Sequence, residues 1–306
     1  MKRLLLVYNP RSSHFWQVKK DVLSKIGGLK GWTIGKFEVS DTDVDDNAAR
    51  LARVIFDHDL IISAGGDGTA NIAVNAIMLS SARDVRIGVL AYGNFNDMAR
   101  SLGELTFEEV LKIGDKTREI WPLECKINQR HWRYGMCYFT MGMFAEACAV
   151  FDHPKVRKQL QKGRKHLISS LMILARWWLR QRKKKFLPSF ALGNSSEEYV
   201  ERIGVSDYMA VNSRTVARIM KGGKWFLDRN DFLSETGQMT RMRKLVPMML
   251  KSMFKQIPGV ESDYDRLIFE KPAKVMMQAE GEYKMIDGVN IVEIKKAERP
   301  ILAVMR

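Results

Sequence analysis

The sequence is poor in cysteine and lacks long apolar runs, and each shortage excludes a class of protein. Its three cysteines form no CxxC pair, so we expect neither a disulfide framework nor a zinc site. No uninterrupted apolar stretch approaches the roughly 20 residues that cross a bilayer. The short run Leu4–Tyr8 ends at Asn9-Pro10 and predicts a buried strand, not a signal peptide. We therefore expect a cytoplasmic protein.

Length and charge narrow the class further. With 306 residues, of which 46% are hydrophobic, the chain can bury the cores of two ordinary domains. Its 50 basic residues outnumber the 35 acidic ones, which gives a formal net charge of +15. Such an excess predicts an anionic partner, and charge alone leaves nucleic acid, an acidic membrane surface and a polyphosphate ligand open.

The first third of the chain alternates short apolar runs with helical patterns. Strands are predicted at residues 3–8, 33–39, 60–63 and 85–90, and helices at 13–26, 44–56 and 69–79. Strict alternation of strand and helix predicts parallel βαβ units. In such sheets ligands bind beyond the carboxyl ends of the strands, so the residues after each strand are the candidates for a site.

After about Trp121 the pattern changes to period-two segments, which predict a mostly antiparallel domain. Such segments occur at residues 130–140, 187–192, 207–212, 274–278 and 290–294. The predicted fold class is therefore α/β plus β-rich. We expect a doubly wound parallel domain at residues 1–121 and a mostly antiparallel β domain at 122–295, with a cleft between them.

A turn with three glycines, Gly65-Gly66-Asp67-Gly68-Thr69, follows the third predicted strand. Glycine lets backbone amides approach an anion closely, and the N-terminus of the following helix adds a partial positive charge. Phosphate is therefore the predicted guest, and Asp67 could hold Mg²⁺ or accept a proton beside it. Taken alone, the segment is more typical of a tight turn in which Asp67 caps the helix.

Four segments, taken in order, resemble the bacterial diacylglycerol kinase-like lipid kinases. The glycine turn is similar to the nucleotide loop shared by diacylglycerol, sphingosine and NAD kinases. Asn9-Pro10-Arg11-Ser12-Ser13 resembles the Asn-Pro-x-Ser-Gly of the lipid-kinase branch. Residues 93–103 resemble its Gly-Thr-x-Asn-Asp-x-Ala-Arg-x-Leu-Gly, and Glu280-Gly281-Glu282 resembles its Asp-Gly-Glu.

This resemblance implies a kinase that uses ATP and Mg²⁺ to phosphorylate a lipid hydroxyl. It implies that ATP lies in the cleft and that residues of about 296–306 return to the first, ATP-binding domain, leaving 122–295 as the lipid-substrate domain. The implied catalytic carboxylates are Asp67, Glu280 and Glu282, with Asp67 and Glu282 also as metal ligands. The implied ATP-binding residues are Asn9, Pro10, Ser12, Gly65, Gly66, Gly68, Thr69, Gly93 and Asn96.

Residue spacing adds two expectations. Glu280 and Glu282 lie two apart, which on an extended strand would put both carboxylates on one face. Taken alone, Ala279-Glu280-Gly281-Glu282 is more typical of a polar turn at the surface. Asp97 and Arg100 lie three apart, which on a helix would let them form an ion pair.

Four positions depart from the family pattern. Ser13 replaces a glycine, Ile72 a glutamate, Asn94 a threonine and Glu280 an aspartate. These departures leave open a catalytically impaired homologue that binds nucleotide or membrane. A soluble-substrate kinase of the NAD kinase kind is a further alternative, supported by the glycine turn alone.

A basic amphipathic segment, predicted as a helical insertion at residues 153–186, interrupts the second domain. Residues 153–196 contain twelve Lys/Arg and no acidic residue. Apolar residues at helical spacing, tryptophans and flanking cations favour a helix in an anionic membrane surface. The predicted membrane contacts are Trp177, Trp178, Arg180, Lys183, Lys184 and Lys185. A core-packed helix with solvated charges is the alternative, and nucleic acid is not expected because no recognition signature accompanies the cations.

Overall fold

The computed structural model describes residues 1–12, 14–153, 156, 166–181, 186–195, 198–216, 220–221, 227–237, 257 and 259–306. The strands are β1 (Lys2–Tyr8), β2 (Trp32–Glu38), β3 (Leu60–Gly65), β4 (Arg86–Ala91), β5 (Thr117–Ile120), β6 (Leu123–Ile127), β7 (Arg130–Gly135), β8 (Tyr138–Gly142), β9 (Phe190–Gly193), β10 (Tyr199–Arg202), β11 (Asp207–Val211), β12 (Thr215–Val216), β13 (Met220–Lys221), β14 (Phe232–Gly237), β15 (Val260–Ser262), β16 (Tyr264–Ala279), β17 (Glu282–Lys296) and β18 (Ile301–Val304). The α-helices are α1 (Phe15–Val18), α2 (Val44–Ile55), α3 (Asp67–Leu79), α4 (Asp97–Ser101), α5 (Phe107–Ile113), α6 (Met143–Asp152) and α7 (His166–Gln181).

The first sheet has the strand order β2-β1-β3-β4-β18-β5. All neighbouring pairs are parallel except β18 and β5. Alternate residues of β1 enter two different cores: Leu5 and Val7 pack on one face of the sheet, and Leu4 and Leu6 on the other. A sheet with helices on both faces buries both sets of side chains, which explains why β1 and β3 read as continuous apolar runs.

The second sheet is antiparallel and has the order β15-β14-β11-β8-β16-β17-β6-β7, with β9 joined to β16 and β10 to β9. Its long central pair, β16 and β17, is a hairpin whose alternate residues enter a separate core. The predicted fold class is therefore confirmed. Two predicted elements differ in detail. Residues 130–140 form two strands, β7 and β8, and the first predicted helix is only the four-residue α1, continued by a π-helical turn at Lys19–Leu23.

The C-terminal strand β18 pairs with β4 and β5, so the end of the chain lies in the first sheet. Arg299, just before this strand, donates hydrogen bonds to the carbonyls of Ile77, Met78, Ser80 and Ala82, at 2.6, 3.1, 2.9 and 3.1 Å. The last carbonyls of a helix have no intrahelical donors. The guanidinium therefore caps the C-terminus of α3, the helix that begins at the glycine turn.

The second sheet docks on the first domain through its edge strand β7. The Asn75 side chain, on α3, donates to the Tyr134 carbonyl and accepts from the Tyr134 amide, both at 2.8 Å. This side chain thus satisfies both main-chain groups of one residue on an edge strand, as a neighbouring strand would. The docking fixes α3 against the second domain.

Helix α7 carries the described part of the basic segment. Met172, Arg176, Leu179 and Arg180 are exposed along one face, whereas the Trp177 ring packs against Phe186 with a centroid distance of 5.7 Å. The predicted contact by Trp177 is therefore at least partly an internal one. The Trp178 side chain and Lys183, Lys184 and Lys185 lie outside the described residues. No helix among the described residues has both the length and the apolarity to span a membrane.

Candidate active site

The glycine turn joins β3 to α3 and leaves the N-terminus of that helix accessible. Gly66 is the N-cap residue in an extended conformation, and no side chain caps the first turn. The first amides of an α-helix have no intrahelical acceptors. Gly66, Asp67 and Gly68 all remain partly exposed. An anion could therefore accept hydrogen bonds from these amides, with the helix dipole in support.

The glycines are required because neighbouring groups approach their backbone closely. A Cβ at Gly93 would overlap the Cα of Gly66, so the turn after β3 and the loop after β4 are in backbone contact. A Cβ at Gly65 would overlap the Thr69 side chain, and one at Gly68 would overlap the Glu282 carboxylate. The close approach of Glu282 brings a side chain of the second domain onto the glycine turn.

The loop after β4 is braced by Asn96. Its Oδ1 accepts from the Gly93 amide at 2.6 Å, and its Nδ2 donates to the Gly93 carbonyl at 2.9 Å. Asn96 has φ 56°, a left-handed conformation that asparagine tolerates better than most residues. The Asn96 side chain therefore holds the loop, and Thr69 is likewise buried beneath Gly65. The side chains of Asn96 and Thr69, which are predicted to bind nucleotide, thus contact Gly93 and Gly65 of the protein itself.

Asp67 lies between this loop and the second domain. Its Oδ1 accepts from the Met98 amide at 3.1 Å. Burial and the nearby negative charge of Asp97 raise the pKa of Asp67 to about 7. A carboxyl group with such a pKa can exchange a proton near neutral pH, as a general base or acid requires.

Asp97 is fully buried and accepts a hydrogen bond from the Thr215 hydroxyl, on β12, at 3.0 Å. The predicted pair with Arg100 is wrong, because Arg100 instead binds Glu104 at 2.9 Å, one helical turn further along the chain. Asp97 therefore contributes to the cluster of acids around Asp67 and not to a surface ion pair.

A tight hairpin turn brings the second pair of carboxylates to the site. Strand β16 ends at Ala279 and β17 begins at Glu282, so Glu280 and Gly281 form a two-residue turn, with φ values of 53° and 85°. Positive φ at both central residues is what a type I′ hairpin requires. The expectation of an extended strand here is therefore wrong, because Glu280 adopts a left-handed conformation, and the alternative of a turn agrees with the structure except that Glu280 is buried and not at the surface.

Glu280 is 1% exposed. Its Oε1 accepts hydrogen bonds from the amides of Cys137 and Tyr138, the second at 3.1 Å. Its Oε2 has no partner among the described residues. Burial, together with the negative charges of Asp67 and Asp97, raises the pKa of Glu280 to about 8. Glu280 thus anchors the hairpin to the start of β8 and is protonated at neutral pH.

Glu282 differs from Glu280 in being partly exposed beside Gly68. The described residues contain no group of three His, Cys, Asp or Glu that could hold a metal ion by themselves. Mg²⁺ in phosphoryl-transfer sites needs only one or two carboxylates, because phosphate oxygens and water complete its shell. The donor set of Asp67 and Glu282 fits that pattern.

The turn after β1 also faces this edge of the sheet. The Asn9 side chain accepts from the Arg11 amide at 2.9 Å, and the Asn9 carbonyl accepts from the Ser12 amide at 3.1 Å, with Pro10 between them. The Ser12 hydroxyl is buried without a hydrogen-bond partner among the described residues. Ser13 lies outside the described residues.

The sequence analysis did not predict the line of polar side chains along one face of α3. Asp67, Asn71 and Asn75 lie at intervals of four, which places them on one face of the helix. Asn71 is fully buried. Its Oδ1 accepts from Asn75 at 2.8 Å, and its Nδ2 has no partner among the described residues. The sequence feature that could have predicted this line of polar side chains is the spacing of the asparagines by one helical turn within an otherwise apolar helix. Ile72 is buried in the core instead.

Comparisons with known proteins bear on the same region. Residues 3–120 match the family model of the diacylglycerol kinase catalytic domain. Over 119 residues the chain is 35% identical to a diacylglycerol kinase of Bacillus subtilis (strain 168), covering 38% of this chain and 37% of the relative. Over 149 residues it is 31% identical to one of Staphylococcus carnosus (strain TM300), covering 47% and 46%.

The matches thus span less than half the length of these relatives. A solved structure extends the similarity to the whole fold: a diacylglycerol kinase from Bacillus anthracis strain Sterne has a TM-score of 0.66 at 12% identity, over 100% of this chain and 97% of that one. The resemblance indicated by the sequence motifs is confirmed.

Proposed function

We propose that this chain, whose residues 3–120 match a diacylglycerol kinase catalytic domain, is a lipid kinase that transfers the γ-phosphoryl group of ATP to a lipid hydroxyl. One observation carries the proposal: the hairpin of the second domain seats Glu282 against Gly68 in the glycine turn. A carboxylate that can take a hydroxyl proton is thereby brought beside amides that can bind phosphate.

Binding of the phosphates falls to the backbone in this proposal. The accessible amides at the start of α3, from Gly66 to Gly68, bind phosphate oxygens, and Gly93 lets the second loop approach the same point. The Ser12 hydroxyl, which is otherwise without a partner among the described residues, adds a hydrogen bond from the first turn. Asn96 and Thr69 act indirectly, by holding the two loops in shape.

Asp67 and Glu282 would hold the magnesium ion. When bound, Mg²⁺ neutralises phosphate charge and helps align the transferred group. Asp67 is suited to this role because an adjacent cation favours its ionised form, although burial and the negative charge of Asp97 raise its pKa to about 7 in the absence of the cation. We therefore expect proton release when Mg²⁺ and nucleotide bind near neutral pH.

The transfer step needs one proton acceptor. The lipid hydroxyl oxygen forms a bond to the γ-phosphorus, the bond from that phosphorus to the ADP oxygen breaks, and the hydroxyl proton passes to Glu282. Glu280 is less suited to accept it, because its Oε1 is used by two amides and burial keeps it protonated at neutral pH. Glu280 instead keeps the hairpin in place.

We further propose that the enzyme works at a membrane surface, with α7 as the contact. Met172 and Leu179 are each more than half exposed, beside Arg176 and Arg180. Apolar and cationic side chains on one helix face suit the boundary between headgroups and acyl chains. Replacing Leu179 by Glu should weaken sedimentation with vesicles that contain phosphatidylglycerol. The control is the same replacement by Glu at Val54, an exposed apolar residue of α2, which should leave sedimentation unchanged.

The kinase proposal is tested with radiolabelled ATP, Mg²⁺ and mixed micelles that contain diacylglycerol or a total lipid extract. We expect labelled lipid from the native protein and at least a hundredfold less from Asp67→Asn and Glu282→Gln. Equal labelling by the native protein and both variants would show that the site is elsewhere. Labelling of NAD in place of lipid would support a soluble-substrate kinase, and vesicle binding without any transfer would support an impaired homologue.

A further inference from the structure

Four charged side chains join the two domains beside the proposed active site, and we refer to Asp43, Asp45, Arg133 and Lys284 as the interdomain clasp. Lys284 Nζ lies 2.8 Å from Asp43 Oδ2 and 3.8 Å from Asp45 Oδ2. Arg133 Nη2 lies 2.7 Å from Asp45 Oδ1 and 3.5 Å from Asp43 Oδ1. Two acids at the start of α2 thus bind two cations from β7 and β17.

The clasp has a buried part and an accessible part. The Arg133 side chain is 2% exposed, lies over the Trp132 ring and donates a further hydrogen bond from Nε to Asp45. Asp43, Asp45 and Lys284 are each 42–49% exposed. Burial of an ion pair fixes its geometry, because a shift would leave a charge without a partner. The buried Arg133–Asp45 pair therefore fixes how β7 lies against α2, and the accessible Lys284–Asp43 pair forms in that same arrangement.

The Asp43 side chain binds the cations of the clasp in addition to the Val44 amide at the start of its own helix. Asp43 is the N-cap residue of α2, yet its side chain makes no capping hydrogen bond. Burial opposes ionisation of Asp43, but the hydrogen bond from Lys284 and the charges of Lys284 and Arg133 lower its pKa below the ordinary value. A side chain that usually stabilises a helix start is used here to bind another domain.

The position of the clasp along the chain connects it to the chemistry. Lys284 follows Glu282 by two residues on β17, so the two side chains share a face about 7 Å apart. Arg133 precedes Tyr134, which Asn75 holds, and β8 then begins at the amides that bind Glu280. The β16–β17 hairpin, which carries Glu280 and Glu282 and is called the carboxylate hairpin below, is thus linked to the first domain directly through Lys284 and indirectly through β7 and the start of β8.

We propose that Lys284 and Asp43 are positioning residues, which hold the hairpin so that Glu282 stays against Gly68. This inference rests on the proposed kinase function for its kinetic consequence. Its structural consequence, the seating of Glu280 on the amides of Cys137 and Tyr138, is independent of activity. A misplacement of about 1 Å at a reacting group can cost about a hundredfold in rate.

The test is a double-mutant cycle on Asp43→Asn, Lys284→Met and the double variant. Asparagine is a good N-cap residue, so α2 should remain intact. Each single variant should lower kcat about tenfold or more with little change in KM for ATP. The double variant should lose no more than either single one, because both changes remove the same contact. The matched control is Lys274→Met with Asp287→Asn, an exposed pair on the same hairpin, 3.1 Å apart.

Hydrogen exchange at the Cys137 and Tyr138 amides provides a readout that does not depend on activity. Exchange should accelerate in both single variants and no further in the double variant, while the control pair leaves it unchanged. Multiplicative losses in the double variant, or unchanged exchange and kcat in the single variants, would overturn the proposal. If the native protein transfers no phosphate to any lipid, the proposed function fails, and the exchange cycle alone still decides whether the clasp positions the hairpin.

Discussion

Replacing Glu280 by glutamine should change how the stability of the protein depends on pH. Burial raises the pKa of Glu280 from 4.5 to about 8. The folded protein therefore keeps this proton up to about pH 8, whereas the unfolded chain releases it above about pH 4.5. Because the folded state binds more protons across this window, the free energy of unfolding falls as the pH rises through it.

The magnitude follows from the shift. About 3.5 pKa units correspond to about 5 kcal/mol at 1.36 kcal/mol per unit, and coupling to Asp67 and Asp97 makes this an upper bound. Glutamine keeps the oxygen that accepts from the Cys137 and Tyr138 amides but cannot ionise. The stability of Glu280→Gln relative to the native protein should therefore rise by up to about 4 kcal/mol between pH 5 and pH 9, since the first part of the shift falls below pH 5.

Urea unfolding of both proteins at pH 5, 7 and 9 measures this difference, and Glu201→Gln, at an exposed position, is the control. Any pH-independent cost of placing an amide at Oε2 cancels in the comparison across pH. A difference in stability that stays constant from pH 5 to pH 9 would refute the assignment of Glu280 as a buried, protonated anchor.

Three further predictions concern the same region. Glu282→Gln should lower kcat about 10²- to 10⁴-fold, as expected for loss of a general base, while Glu280→Gln should lower it about tenfold or less. Equal losses in a phosphoryl-transfer assay would contradict the assignment of Glu282 as the base and Glu280 as an anchor of the hairpin. Gly68→Ala should displace the Glu282 carboxylate and lower kcat, whereas Gly28→Ala, where a Cβ meets nothing within 4 Å, should leave activity unchanged. Arg299→Ala should lower the free energy of unfolding by about 1.5–3 kcal/mol, because it removes a charged cap from the end of α3. Thermal denaturation measures this loss, with Arg118→Ala on the edge strand β5 as the control. An equal effect of both changes would argue against the cap.

The main features of the first domain were predictable because they depend on local patterns. Continuous apolar runs such as Leu4–Val7 require burial on both faces, and alternation with helices leaves a parallel sheet as the arrangement that provides it. The turn after β3 was equally predictable, because three glycines between a buried strand and a helix give the backbone the freedom that a tight connection needs. The same reasoning placed Asp67 at the N-terminus of a helix.

The carboxylate hairpin shows where such reasoning fails. The spacing of the two glutamates left a strand face and a polar surface turn open, but Glu280 lies in a turn with positive φ, where glutamate is uncommon, and is buried. What favours that conformation is distant: the amides of Cys137 and Tyr138, more than 140 positions away in the sequence, bind its carboxylate. No local pattern contains that information.

By itself, the sequence determined the two kinds of sheet, the glycine turn and the set of acidic residues available for chemistry. Only the tertiary structure decided which acids meet: Glu280, from the second domain, lies near enough to Asp67 and Asp97 for their charges to raise its pKa, and Glu282 lies against Gly68, the neighbour of Asp67. It also gave the two glutamates different roles, because one is buried on two amides and the other stays partly open beside Gly68. Burial and long-range contacts set the protonation and the position of a carboxylate, and neither is encoded in the spacing of neighbouring residues.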